Sequence, residues 1–230
     1  ALETIKIPED VKVIGAYAFK NCSSLKEIDI PPHVTEIREN TFYNCTGLQS
    51  VSIGKGVLSI GHHAFYNCSS LGSIDIPDNV ETLGSNLFEG CAALATVNFG
   101  DGVKAIPNNC FKGCTSLSSV SIGDGAESIE EYAFKNCSAL SELKLPKSVK
   151  QVGYESFSGC TGMTTIDLGE IETIGDKAFS DCQSIVAVML PHSLKEIGSD
   201  AFSGCNGITT VTTHCETVGS YWFSSLPSIM

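Results

Sequence analysis

The chain has 230 residues, 42% of them hydrophobic and 17% charged, and a formal net charge of −12. There is enough apolar material for a core, but the charge has the wrong sign for DNA, RNA or an anionic membrane surface, which require a basic footprint. No apolar run approaches the ~18 residues of a membrane span. The opening Ala1-Leu2-Glu3-Thr4-Ile5 has no basic stretch ahead of an apolar one, so direct membrane insertion is not expected and no signal peptide is visible.

In chain order the phenylalanines fall at Phe19, Phe42, Phe65, Phe88, Phe111, Phe134, Phe157, Phe179, Phe202 and Phe223. The steps are 23 residues, with one of 22 and a last one of 21. Three residues after each of the first nine stands a cysteine, and three further on stands Leu25, its equivalents to Leu140, then Met163, Ile185 or Ile208. Leu25, Ile28 and Ile30 give L-x-x-I-x-I, Pro31 follows, and Ile14-Gly15, Ala18-Phe19 and Cys22 show the second half as I-G-x-x-A-F-x-x-C. A period of 20 to 29 residues with this core marks a leucine-rich repeat. The expected fold is a single solenoid domain over 1–230, a segment of a larger protein, with ten coils of about 23 residues.

Within each coil the spacing changes character. Ile28 and Ile30 alternate, as a strand requires. Phe19, Cys22 and Leu25 are spaced by three, which predicts a helical or 3₁₀ turn. The coils therefore read as short parallel strands on one face, joined through helical turns, β-rich overall. The slot after the strand holds Pro8, Pro31, Pro77, Pro146 and Pro191 or Gly54, Gly100, Gly123 and Gly169. Proline has no N–H to give, so pairing should stop there. The slot after the second-half isoleucine holds Gly15, Gly61, Gly84, Gly153, Gly175, Gly198 and Gly219, but also Arg38, Pro107 and Glu130. Because proline fixes φ near −65°, glycine here should serve close approach rather than a left-handed turn.

Nine of the eleven cysteines share one column, in which the last rung places Leu226, so they read as buried core thiols. Cys110 and Cys215 fall in other apolar columns and are read in the same way. Stacked rungs keep neighbouring Cβ atoms about 4.8 Å apart, whereas a disulfide prefers about 3.8 Å. The sequons at Asn21, Asn44, Asn67 and Asn136 read as by-products of one repeated turn, which asparagine suits. Trp222, the single tryptophan, reads as a partial cap on the open end, the alternative being that another rung follows in the full-length protein. The histidines His33, His62, His63, His192 and His214 have no ligand set around them, and no catalytic motif is present. No catalytic, cofactor or metal site is expected.

The outward strand columns supply the candidate ligand surface: Glu27, Asp29, Ser50, Ser52, Ser73, Asp75, Thr96, Asn98, Ser119, Ser121, Glu142, Lys144, Thr165 and Asp167. They are short and polar, without the Trp, Tyr and Arg that dominate binding hot spots. The aromatic side chains Tyr17, Tyr43, Tyr66, Tyr132, Tyr154 and Tyr221 are expected on the turns instead.

The unit Ile14 to Pro31 resembles the BspA-like (Treponema pallidum-type) leucine-rich repeat across essentially the whole chain. The resemblance implies a right-handed superhelix and a cell-surface or secreted protein that adheres to a host matrix or cell-surface protein. It implies no catalytic residues and no cofactor. A structural spacer that presents another domain is the alternative, and carbohydrate binding is a weaker one without aromatic platforms.

Overall fold

The computed structural model describes residues 2–215. It is a parallel-strand solenoid built on two ladders rather than one. The first ladder holds β1 (Glu27–Ile30), β3 (Ser50–Ile53), β5 (Ser73–Ile76), β7 (Thr96–Phe99), β9 (Ser119–Ser121), β11 (Glu142–Lys144), β13 (Thr165–Asp167), β15 (Ala187–Leu190) and β17 (Thr210–Thr213). The second holds two-residue strands: β2 (Glu36–Ile37), β4 (Ser59–Ile60), β6 (Thr82–Leu83), β8 (Ala105–Ile106), β10 (Ser128–Ile129), β12 (Gln151–Val152), β14 (Thr173–Ile174) and β16 (Glu196–Ile197). From β1 to β17 the chain makes eight turns. Of the ten expected coils, the last, with Phe223, Leu226, Gly219, Tyr221 and Trp222, lies outside the described residues.

Pairing is in register, residue over equivalent residue: Ile28 over Val51, Ile74 over Val97, Ile60 over Leu83. Inward residues of the first ladder alternate with exposed ones, as at β1, β5 and β7. The interior is one continuous core in which the phenylalanines form a single stack. From Phe19 to Phe202 successive rings lie 5.0–5.4 Å apart and within 18° of parallel. Rung spacing imposes that geometry, because each ring projects from the same backbone position. Phe42, Phe88 and Phe157 are fully buried. Ordinary area bookkeeping assigns each such side chain about 1.5–3 kcal/mol.

The turn through phenylalanine sharpens the expected helical or 3₁₀ turn. Nowhere among the described residues does the chain form helix. Ala18, Lys20, Cys22 and Leu25 each donate to the carbonyl three residues back, which is what the spacing of three records. Between them, Tyr17 and Asn21 adopt positive φ, both 62°. The equivalents of Tyr17 do so in every described rung: Asn40, His63, Asn86, Asn109, Tyr132, Glu155, Lys177 and Asp200. A left-handed residue stops 3₁₀ propagation and turns alternate N–H groups outward along the solenoid. Tyr17, Phe19 and Asn21 thus donate to Glu39, Thr41 and Tyr43 of the next rung. The bonds from phenylalanine N–H groups recur at 2.7–3.1 Å and make this turn a third inter-rung ladder.

The cysteine column is buried from Cys45 to Cys205, and all eleven thiols are free. Cys22 and Cys215 are only half-buried, a departure from the uniformly buried set. Cys22 stands in the first described rung, with no described residue stacked below its column. Each of the eight column thiols from Cys45 to Cys205, Cys110 being in another column, also donates to the carbonyl of the phenylalanine 25 or 26 residues earlier, at 2.9–3.2 Å. The slot therefore combines an apolar volume with a weak donor. Burial pushes the Cys45 thiol up to about 12 and raises those of Cys110 and Cys137 well above the usual thiol range.

Glycine in the slot after the second-ladder strand behaves as its proline-bearing equivalent predicts. None of Gly15, Gly61, Gly84, Gly153, Gly175 or Gly198 has positive φ. A Cβ on Gly84 would lie 2.3 Å from the His62 backbone nitrogen, and one on Gly198 2.3 Å from that of Asp176. The slot before cysteine is where the left-handed turn sits: Asn21, Asn44, Asn67 and Asn136 share it with Gly90, Gly113 and Gly159, all at positive φ. Asn67 donates to Asn44 and Asn44 to Asn21, at 2.7 and 3.0 Å.

Just ahead of the second ladder runs a charge column: Glu81, Lys104, Glu127, Lys150, Glu172, Lys195. From Glu127 onward each backbone N–H bonds the carbonyl of the residue below at 2.8 Å, and the Lys195 ammonium reaches Glu172 at 2.6 Å.

Candidate interaction surface

The fourteen strand-face residues are all exposed. Parallel pairing collects them into two columns: Glu27 beside Ser50, Ser73 beside Thr96 beside Ser119, and Glu142 beside Thr165. The second column pairs Asp29 with Ser52, Asp75 with Asn98 and Ser121, and Lys144 with Asp167. The Asn98 amide donates to Asp75 at 2.6 Å. Lys144 beside Asp167 places opposite charges on one face, an arrangement that favours adjacent rungs. The face is polar over most of its length but not at its C-terminal end. There Val186 and Met189 are 54% and 60% exposed, around Ala187.

The turns carry the aromatic side chains, as expected, but the rings are largely engaged with one another. Tyr43 and Tyr66 stack at 4.8 Å, and the Lys20 ammonium lies 5.3 and 5.0 Å from the Tyr17 and Tyr43 ring centres. His63 tilts against both stacked tyrosines. Tyr132 meets Tyr154 edge to face and takes Lys135 over its ring. Stacking covers one face of each ring, which reduces the open ring surface left for a sugar at Tyr43 and Tyr66.

The electrostatics are local. Burial lowers His63, the neighbouring His62 adds to the shift and Glu89 opposes it. Glu155 accepts from Lys135, then from Tyr154, and is held below the usual carboxylate range. The same Glu155 bond pushes the Tyr154 hydroxyl up to about 12. His62 accepts the Ser85 N–H at Nδ1, 2.9 Å away, so its ring nitrogen is committed to inter-rung bonding. Among the described residues no group of three or more His, Cys, Asp or Glu side chains is placed to hold a metal. No helix there is long and apolar enough to cross a membrane.

Sequence reasoning missed one surface. Gly153, Gly175 and Gly198 leave a trough of about 390 Å³ over the second ladder, bordered by Glu131, Tyr154, Asp176 and Glu196. Its signal in the sequence is the glycine column, which spacing alone ties only to packing.

Comparison with known proteins fits this architecture. The family model for the BspA type leucine rich repeat region matches in six copies, over residues 1–118 and 104–230. No curated protein matches the chain. Among solved structures, a leucine rich cell surface protein from Faecalibacterium prausnitzii is 23% identical, with 94% of this chain and 72% of that one covered and a TM-score of 0.54. The leucine rich repeat protein of T. pallidum is 23% identical over 88% of this chain and 76% of that one, TM-score 0.55. A leucine-rich repeat protein from Eubacterium ventriosum is 26% identical over 86% and 46%, TM-score 0.54. With its two in-register ladders, its phenylalanine stack and a family match along its full length, the chain belongs to the BspA-type leucine-rich repeat family.

Proposed function

We propose that the array is a surface-displayed adhesion module that binds a protein ligand, such as a host matrix or cell-surface protein, through its strand face. The observation that carries this reading is the pair of exposed columns from Glu27 to Asp167. Their side chains repeat rung by rung on short paired strands, so within each paired block a partner meets a surface ordered in advance. The similarity to a cell-surface protein of F. prausnitzii supports the location. Short polar columns without aromatic anchors favour distributed, multivalent contacts over one tight site.

Immobilised matrix proteins and whole host cells, titrated with the chain by biolayer interferometry, test the proposal. Saturable binding that weakens in the Asp75→Lys, Asn98→Lys, Ser121→Lys variant supports it. Binding that is absent, or indifferent to those substitutions while folding is intact, overturns it and favours a spacer.

A further inference from the structure

Both ladders are interrupted, and a proline stands at every interruption. The first ladder divides into β1–β3, β5–β7–β9, β11–β13 and β15–β17. The strand that opens each later block is followed by proline: Pro77 after β5, Pro146 after β11, Pro191 after β15. Where pairing continues, that slot holds Gly54, Gly100, Gly123, Gly169 or His214. Gly100 and His214 donate from it to Ile76 and Leu190 below, at 2.9 and 3.0 Å. The second ladder divides once, into β2–β4–β6 and β8 to β16. At the corresponding slot six rungs donate downward at 2.7–2.9 Å, from Gly61 to Gly198. The rung above the break has Pro107, which cannot.

Clefts lie at three of the four interruptions, whereas the trough of about 390 Å³ lies over the unbroken β10–β16 stretch. A hollow of about 450 Å³ is lined by Leu83 and Pro107, and one of about 280 Å³ lies between Ile122 and Pro146. Another of about 430 Å³ lies between β13 and β15. At the continuous interface β5/β7 the rungs approach so closely that a Cβ on Gly100 would sit 2.4 Å from Asp78 Cα. Glycine both donates and permits this approach, whereas proline does neither.

We infer that the prolines are joints: the array opens locally at the interfaces β3/β5, β6/β8, β9/β11 and β13/β15, and the rungs between them move as blocks. Stability in a solenoid is a sum over nearest-neighbour interfaces, so the weakest open first. The joints are staggered. At β6/β8 the first ladder runs unbroken through β5–β7, and at β9/β11 the second runs through β10–β12. A joint therefore loosens one side of the coil while the other holds.

Native-state amide exchange of the full chain tests this. In the wild type, amides bonded across the four joints should exchange at least about fivefold faster than those bonded across β5/β7 and β7/β9, the factor carried by one net hydrogen bond. In Pro107→Gly the amide introduced at position 107 should be protected, and the flanking amides of β6 and β8 should slow by about the same factor. Uniform protection across all interfaces in the wild type overturns the inference, and so does an unprotected amide at position 107 in a folded variant. If that variant does not fold, the wild-type comparison decides alone.

Discussion

Single positions are tied to function and stability by where the rung places them. Phe111 is fully buried, stacked between Phe88 and Phe134, and met edge-on by Phe99. Phe111→Ala should cost about 3–5 kcal/mol in urea unfolding, at the level of a large aromatic cavity. Ser121→Ala, on the exposed column, should stay within about 0.5 kcal/mol. Both expectations are legible in the sequence, because a side chain repeated at fixed period can only be core or surface. The left-handed residues are legible only in part. Their slot holds Asn40, Asn86, Asn109 and Asp200, types enriched at φ > 0, but also Tyr17, Tyr132, Glu155 and Lys177, which carry no such signal. Three inter-rung bonds per turn impose the conformation, and such bonds are tertiary. The thiols divide by position as well. Alkylation of the native protein followed by mass spectrometry should label Cys22 and Cys215 first and leave Cys91 and Cys114 unmodified until unfolding, since those are fully buried and burial raises both thiols.

At the scale of an element, the turn and the second ladder are what the sequence leaves obscure. A spacing of three suits a helical turn and a chain of i→i−3 bonded turns equally, and only the φ values separate them. Two-residue strands are too short to show alternation, so the column Ile37, Ile60, Leu83, Ile106 reads as extended core rather than as a ladder. The glycines beside it are decisive for its packing. Gly84→Ala should destabilise by roughly 2 kcal/mol or more, because the new Cβ meets backbone at 2.3 Å on the rung below. At Gly72, at the entry to β5, an added Cβ would have nothing within 4 Å. Gly72→Ala should therefore be neutral or stabilising by up to about 1 kcal/mol, through the unfolded chain. Thermal melts of the two variants check the contrast.

At the scale of the whole molecule, acid should loosen the array. The folded pKa of His63 lies below its unfolded value near 6.5, so the unfolded chain takes up the proton first. Its contribution is present above that value and is lost as pH falls through the folded pKa. Glu155, lowered from 4.5, adds a second loss at more acid pH as its carboxylate is protonated. Chemical denaturation from about pH 7 to about pH 3 should show falling stability, with the upper part of the slope reduced in His63→Gln. A slope unchanged by that substitution would assign the loss to other groups.

The alternating column from Glu81 to Lys195 bears on how near-identical rungs find their proper neighbours. Ten similar units can in principle pair out of order, within one chain or between two. Skipping one rung in this column would set glutamate against glutamate or lysine against lysine. Each exposed pair is worth only about 0.2–1 kcal/mol, but an omission changes the sign of the contact at the new junction. The column thus works as a parity check on assembly: a chain that loops out one coil between Glu81 and Lys195 meets like charge where its own fold offers the opposite.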